Sequence, residues 1–175
     1  MATTARPARG SRSLSQHPEA HEPALDERTA AALRLWVIMA RAHTAVAAHA
    51  AADVSRHGLT LAEFGILEAL YHRGPMLLGE VQKRILVSSG GITFLVDRLV
   101  AKDLVERRCC ESDRRARYAA LTPKGVALVA EIFPAHAAVL ARAMEGISIE
   151  EQQQVADLLR DMGRHAAMMP VPYDD

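Results

Sequence analysis

The chain has 175 residues, which is the length of one ordinary domain. Half of its residues are hydrophobic and 24% are charged, and this balance excludes an intrinsically disordered protein. The 21 basic and 21 acidic residues give a net charge of zero, which taken alone argues against a strongly basic nucleic-acid binder. Two adjacent cysteines exclude a disulfide-stapled secreted domain, and without a run of about 20 uninterrupted apolar residues we expect a cytoplasmic protein with no membrane contact.

Residues 1–24 predict a flexible arm, because they contain three prolines and show no hydrophobic periodicity. Within the arm, His17 and His21 have the spacing of a metal-binding pair on a helix. Pro18 lies between them in a segment without a helical pattern, so we expect no metal site.

A long helix is predicted to follow the arm, over residues 25–58. Asp26 is a suitable N-cap, apolar residues recur every three or four positions, and Gly58 ends the pattern. Leu35 and Met39 belong to a second apolar stripe, so two faces of this helix need to be buried. A broad core-facing helix and a helix shared with a partner subunit explain the pattern equally well.

Three shorter helices come next. Thr60 and Glu63 form a capping box for the first, which ends at a Gly-Pro pair, and the second is predicted over about residues 79–86. Ser88-Ser89 can cap the third, which reaches Lys102. Two helices joined by a tight polar turn, the second opening with small residues that let its N-terminus approach DNA, are typical of a helix-turn-helix.

The hydrophobic period then changes from 3.6 to 2. Residues 104–110 and 116–121 alternate, with a charged turn at 111–115, and this predicts a β-hairpin. From residue 107 to 117 five arginines stand against two acidic residues, a net charge of +3. Arginines on a narrow hairpin can enter the minor groove of DNA, where the potential is most negative. A solvated charged loop is the alternative interpretation.

Two long helices complete the chain. Thr122-Pro123 is a typical helix start, and this helix is predicted to reach about Met144 with a kink or break at Pro134. A capping box at Ser148 starts the last helix, and residues 169–175 form a tail.

Three short stretches within this order of elements are distinctive. Residues 113–115 read Asp-Arg-Arg, residues 121–122 read Leu-Thr, and residues 88–93 read Ser-Ser-Gly-Gly-Ile-Thr. Over residues 26–165 the pattern resembles the MarR family of bacterial winged-helix regulators, whose wing carries Asp-x-Arg followed by Leu-Thr. The likeness is closest to the branch typified by the methylhydroquinone-responsive repressor.

The resemblance implies a mainly α fold. Residues 59–122 would form a winged helix-turn-helix with a two-stranded β-wing, and residues 25–58 and 123–168 would be the helices of a dimerisation region. It also implies a homodimer that binds a palindromic double-stranded DNA operator as a repressor, with no enzymatic activity and no cofactor.

Carried onto this sequence, the resemblance assigns DNA contacts to the recognition helix and the wing. The predicted contact residues are Ser88, Ser89, Thr93, Arg98, Arg114, Arg115 and Arg117. Asp113 is placed to pair with Arg115 and to orient its guanidinium. Phe94 could touch a thymine methyl, but we expect it to pack inside the domain. Asp103 stands where many members have glycine, and we expect it to adopt the left-handed conformation of a helix C-terminus.

Two kinds of effector site are predicted. Cys109 and Cys110 lie beside arginines, which favour the reactive thiolate, so oxidation or a quinone could release the wing; a core residue and an inert surface thiol are the alternative. A small phenolic compound could instead bind where the first helix meets the DNA-binding region. The candidates there are Trp36, Met39, His43 and Tyr71. For each of them, an ordinary packed side chain is the alternative.

Two other functional classes compete with a DNA-binding regulator. A cysteine-dependent redox enzyme would need more than a lone thiol and a distant histidine, and the sequence contains no His-Glu-x-x-His, no glycine-rich phosphate loop and no Cys-x-x-Cys. A purely helical interaction adaptor would have no use for the arginine-rich hairpin.

Overall fold

The computed structural model describes residues 25–85, 89–109 and 117–170. The elements in chain order are α1 (Glu27–Ser55), α2 (Leu61–Arg73), β1 (Met76–Leu77), α3 (Leu78–Ile85), α4 (Ser89–Ala101), β2 (Val105–Cys109), β3 (Arg117–Leu121), α5 (Pro123–Ala143) and α6 (Ile149–Met168). The chain divides into two units, Met1–Ile38 and Met39–Asp175, and the hydrophobic core lies in the second.

Helix α1 begins at the predicted cap. Asp26 accepts hydrogen bonds from the backbone N–H of Thr29 at 3.0 Å and from its hydroxyl at 2.7 Å. In the first unit, a run of large apolar side chains on α1 is exposed. These are Leu33, Leu35, Trp36, Val37 and Ile38. The helix ends in a turn at Gly58, whose φ of 68° is the left-handed conformation that glycine tolerates.

Helices α2, α3 and α4 enclose the core together with α5. The capping box at the start of α2 is confirmed, since Thr60 and Glu63 each bond to the other's backbone N–H. Phe64, Leu67 and Val81 are fully or almost fully buried in the core. Val96 of α4 belongs to the same core as Val81 of α3, so the two helices of the predicted helix-turn-helix pack against each other.

The sheet has three antiparallel strands rather than two. The order is β1-β3-β2, with Met76 opposite Ala119 in one pair and Val105 opposite Leu121 in the other. The two predicted strands of the wing are confirmed. Sequence reasoning missed β1, because two residues are too few to show an alternating pattern.

The base of the wing is fixed by close backbone contacts. Asp103 adopts the expected left-handed conformation with φ 58°, and its carbonyl accepts a 2.8 Å hydrogen bond from the Thr122 hydroxyl. A Cβ on Gly125 would lie 2.1 Å from the carbonyl oxygen of Leu104, so only glycine fits there. The start of α5 therefore lies directly against the turn before β2.

Helix α5 runs unbroken through Pro134, so the predicted break does not occur. Pro134 lies on the exposed side of the helix, where solvent can hydrate the carbonyl left without its partner. By length and composition α5 could cross a membrane, but it supplies Val129, Ile132 and His136 to the core. Helix α6 starts at the predicted Ser148 capping box, and none of its residues is buried within the described chain.

Candidate nucleic-acid interface and effector cavity

Helix α4 has the position and surface of a recognition helix. Its apolar residues Ile92, Val96 and Leu99 are buried in the core, so the opposite side of the helix faces outward. Thr93 and Phe94 are exposed on that outward side. In a helix-turn-helix this second helix enters the major groove of DNA.

Phe94 does not pack inside the domain, so that expectation is wrong. Its side chain is 61% exposed, and the Arg98 guanidinium lies 5.7 Å from the centre of its ring. The reason is the helical period: Ile92, Val96 and Leu99 already fill the inward side of α4.

A buried carboxylate, Glu63, connects α2 to α4. Glu63 has no exposed surface; one oxygen accepts the Thr60 N–H at 2.8 Å, and the other lies 3.0 Å from Lys102 Nζ and 3.2 Å from Arg98 Nε. Burial raises the pKa of Glu63, but the hydrogen bonds from Thr60 and Lys102 outweigh burial and hold that pKa below its usual range. Lys102 also donates to the carbonyl of Gly58 at 2.9 Å.

Two arginines near the base of the wing are already paired. Arg107 lies 2.7 Å from Asp97 on α4, and Arg108 lies 2.6 Å from Glu106 on its own strand. Asp97 and Glu106 lie outside residues 107–117, over which the sequence gives a net charge of +3. The uncompensated positive charge of the hairpin is therefore smaller than that value. The Arg107–Asp97 pair also links β2 to the recognition helix.

Several predicted site residues lie outside the described structure. Ser88, Cys110, Asp113, Arg114 and Arg115 fall in the two gaps. A further three lie in regular elements: Ser89 begins α4, Cys109 ends β2, and Arg117 begins β3 opposite Cys109. Of the predicted DNA contacts, the structure places the Thr93 and Arg98 side chains on α4.

A cavity of about 640 Å³ lies between α2, α3 and α5. Apolar side chains line most of it, and the polar residues in the lining are two histidines, two arginines and Glu68. Its lining includes Phe64, His72, Arg73, Arg84, Ile85 and His136. A cavity of this size is large enough for a small aromatic molecule.

His136 forms a buried polar pair with Asp53 of α1. Its Nδ1 lies 3.1 Å from the Asp53 carboxylate, which is also paired with Arg56, and its ring lies 4.7 Å from that of Phe64. Burial raises the pKa of Asp53, but hydrogen bonds from Arg56 and His136 outweigh burial and lower that pKa. An ionised carboxylate only accepts hydrogen bonds, so Nδ1 carries a proton. Sequence reasoning missed this pair because 83 positions separate its members.

The predicted ligand residues are not gathered in the larger cavity. Tyr71 lines a second cavity of about 320 Å³, together with Leu70, Arg108 and Leu121. Met39 and His43 do not line either cavity as the described residues form them. Trp36, in the first unit, is 62% exposed. The described residues contain no cluster of His, Cys, Asp and Glu that could hold a metal ion.

Comparison with known proteins identifies the family. The model of the MarR family matches residues 57–116. The chain is 36% identical over 138 residues to MhqR, an HTH-type transcriptional regulator of Bacillus subtilis (strain 168), which covers 79% of this chain and 95% of that protein. The chain belongs to the MarR family of transcriptional regulators. As a MarR regulator it is a DNA-binding protein and not an enzyme, and the likeness to MhqR confirms the predicted branch.

Solved structures confirm the fold class. Sco3205 of Streptomyces coelicolor, a MarR family regulator in complex with DNA, has a TM-score of 0.74 at 23% identity, covering 88% of this chain and 96% of that chain. BpsR of Bordetella bronchiseptica, whose DNA binding is regulated by 6-hydroxynicotinic acid, has a TM-score of 0.67 at 28% identity, covering 72% of this chain and 90% of that chain. The mainly α winged-helix architecture of this MarR regulator is therefore shared with both.

Proposed function

We propose that this MarR regulator is a cytoplasmic homodimeric repressor that leaves its palindromic operator when a small phenolic or quinone compound is present. Helix α6 supports the dimer, because none of its 20 residues is buried within the described chain. Its apolar side chains Val155, Leu158, Leu159 and Met162 are exposed. Exposed apolar faces of this length mark protein interfaces.

The exposed run from Leu33 to Ile38 on α1 needs a partner for the same reason. A second copy of the chain would cover both faces, in the N- and C-terminal dimerisation regions predicted at residues 25–58 and 123–168. Such a dimer presents two copies of α4, which suits a palindromic operator.

The proposed DNA contacts divide between the two grooves. Ser88, Ser89 and Thr93 would face the major groove or its phosphates. Arg114, Arg115 and Arg117 would approach the minor groove, with Asp113 orienting Arg115. Arg98 is held by Glu63 through Nε. Its contact would therefore be made by the terminal nitrogens.

Operator binding tests the function and the wing together. In fluorescence anisotropy with DNA from upstream of the gene, we expect specific binding whose affinity falls steeply as salt rises, because arginine contacts release counterions. Arg115→Ala should weaken binding by about 1–3 kcal/mol if the side chain reads a base edge. Arg160→Ala, a change to a surface pair on α6, is the control and should leave the affinity within twofold of the wild type. Absent or salt-independent binding would contradict the function, and an unchanged Arg115→Ala affinity would remove the wing from the contacts.

We place the effector in the 640 Å³ cavity. His136 lines this cavity, and its imidazole ring can form a hydrogen bond with a phenolic hydroxyl. Arg73 and Arg84 outnumber the one carboxylate in the lining, Glu68, so the cavity would favour an ionised oxygen on the ring. The regulation of BpsR by a hydroxylated aromatic acid supports this ligand class. Trp36, Met39, His43 and Tyr71 do not line this cavity as the described residues form it, so a ligand site built from them stays a separate prediction.

The phenol and thiol routes are separable. In the absence of oxygen, methylhydroquinone should release the operator from the wild type and from the variant carrying both Cys109→Ser and Cys110→Ser. Ala62→Leu, which narrows the cavity, should raise the concentration needed for half release by about tenfold. If only the oxidised quinone acts, and the double cysteine variant no longer responds, the thiol route is correct and the cavity route is wrong. If neither compound releases the operator, the effector class is wrong.

A further inference from the structure

Phe94 is a large apolar side chain held out from the recognition helix. It is 61% exposed, and the side chains of Thr93, Asp97 and Arg98 near it on α4 are polar. Thr93 is exposed beside it, and Asp97 is paired with Arg107. The ring of Phe94 is therefore not packed among the apolar side chains of the core.

The ring has a support on its own helix. Arg98 lies one turn further along α4, and its guanidinium is 5.7 Å from the ring centre, within the range of a cation–π contact. Arg98 is itself held by the fully buried Glu63, whose oxygen lies 3.2 Å from Nε. These two contacts, from Glu63 to Arg98 and from Arg98 to Phe94, limit the rotamers of the ring and keep it on the outward side.

The major groove offers one apolar feature to such a ring, the C5-methyl group of thymine. We propose that Phe94 determines operator sequence by contacting a thymine methyl in each half-site, and that Arg98 and Glu63 are its positioning residues. This inference rests on the DNA-binding function, and it adds to that function a base preference and the group that reads it.

Replacing thymine with deoxyuridine tests the contact, because the change removes the methyl group and keeps the base pair. Each thymine of the mapped operator is replaced in both half-sites, and the Kd of the full-length protein is measured by anisotropy. We expect one position at which the wild type loses about tenfold in affinity, since each half-site loses one buried methyl group. At that position, Phe94→Ala should bind the thymine and deoxyuridine operators equally.

Variants on the same helix separate a base contact from a structural effect. Val100→Ala, another exposed apolar position on α4, should keep the wild-type deoxyuridine profile. Phe94→Leu keeps an apolar side chain and should keep part of the deoxyuridine effect if Phe94→Ala proves unstable. Arg98→Met should reduce the tenfold effect, and an undiminished effect would overturn its positioning role. A wild type insensitive at every thymine, or a Phe94→Ala profile equal to that of the wild type, would overturn the proposal while leaving specific binding intact.

Discussion

Replacing Glu63 with alanine is expected to lower the free energy of unfolding by about 2–4 kcal/mol. The carboxylate has no exposed surface and receives the Thr60 N–H, Lys102 and Arg98, so its removal breaks the capping box and two ion pairs at once. The loss stays below that of a fully buried ion pair, because both cations are partly exposed and can be hydrated. Urea unfolding followed by circular dichroism measures the change.

The control for this prediction is Glu106→Ala, which removes a carboxylate from an exposed pair with Arg108 and should cost less than about 1 kcal/mol. The pH dependence provides a second test. Because the pKa values of Glu63 and Asp53 are lowered by folding, their stabilisation is present above the unfolded pKa near 4 and is lost as the pH falls through the folded values. The free energy of unfolding of Glu63→Gln should therefore fall less steeply than that of the wild type as the pH drops below about 4. Equal losses for Glu63→Ala and Glu106→Ala would contradict the role of the buried network.

Replacing Leu158 with aspartate is expected to dissociate the proposed dimer and to weaken operator binding by about 100-fold or more. Leu158 is 71% exposed in the single chain, so the change does not disturb the core of one subunit. In the dimer it would place a carboxylate in an apolar interface, where an unpaired charge is strongly unfavourable. Loss of the dimer removes the second recognition helix, and each half-site is then bound alone.

Gln153→Asp is the matched control, since it introduces the same charge on the opposite side of α6. It should leave both the dimer and the operator affinity unchanged. Light scattering coupled to size-exclusion chromatography measures the mass, and anisotropy measures the affinity. A Leu158→Asp protein that stays dimeric would show that α6 does not form the interface.

The local features of this fold could be predicted from the sequence. Capping residues such as Asp26, Thr60 and Ser148 mark helix starts because their side chains bond within three residues. The left-handed turn at Asp103 could also be predicted, since few residue types tolerate it. The hairpin strands followed from their alternating pattern.

Long-range pairs could not be predicted in this way. Glu63 was identified by its cap, but its contact with Lys102, 39 positions away, depends on how α2 and α4 pack. The same holds for Asp53 and His136. Phe94 was wrongly expected to pack inside because hydrophobicity alone does not show which side of a helix is already filled. The cavity between α2, α3 and α5 likewise depends on packing, so the candidate ligand residues on α1 were chosen without it.

The hydrogen bonds of Lys102 bear on how a ligand could change DNA binding. At the end of α4 it donates to Gly58 and Glu63, while its own carbonyl accepts a 2.8 Å hydrogen bond from Lys124. These bonds attach the end of the recognition helix to the turn after α1, to α2 and to the start of α5, all within the unit Met39–Asp175. In the proposed dimer, we therefore expect the released state to differ from the bound state in the distance between the two recognition helices. Inserting single base pairs between the operator half-sites changes the distance that the two recognition helices must span, so we expect it to lower the affinity for the operator more than other changes in the DNA.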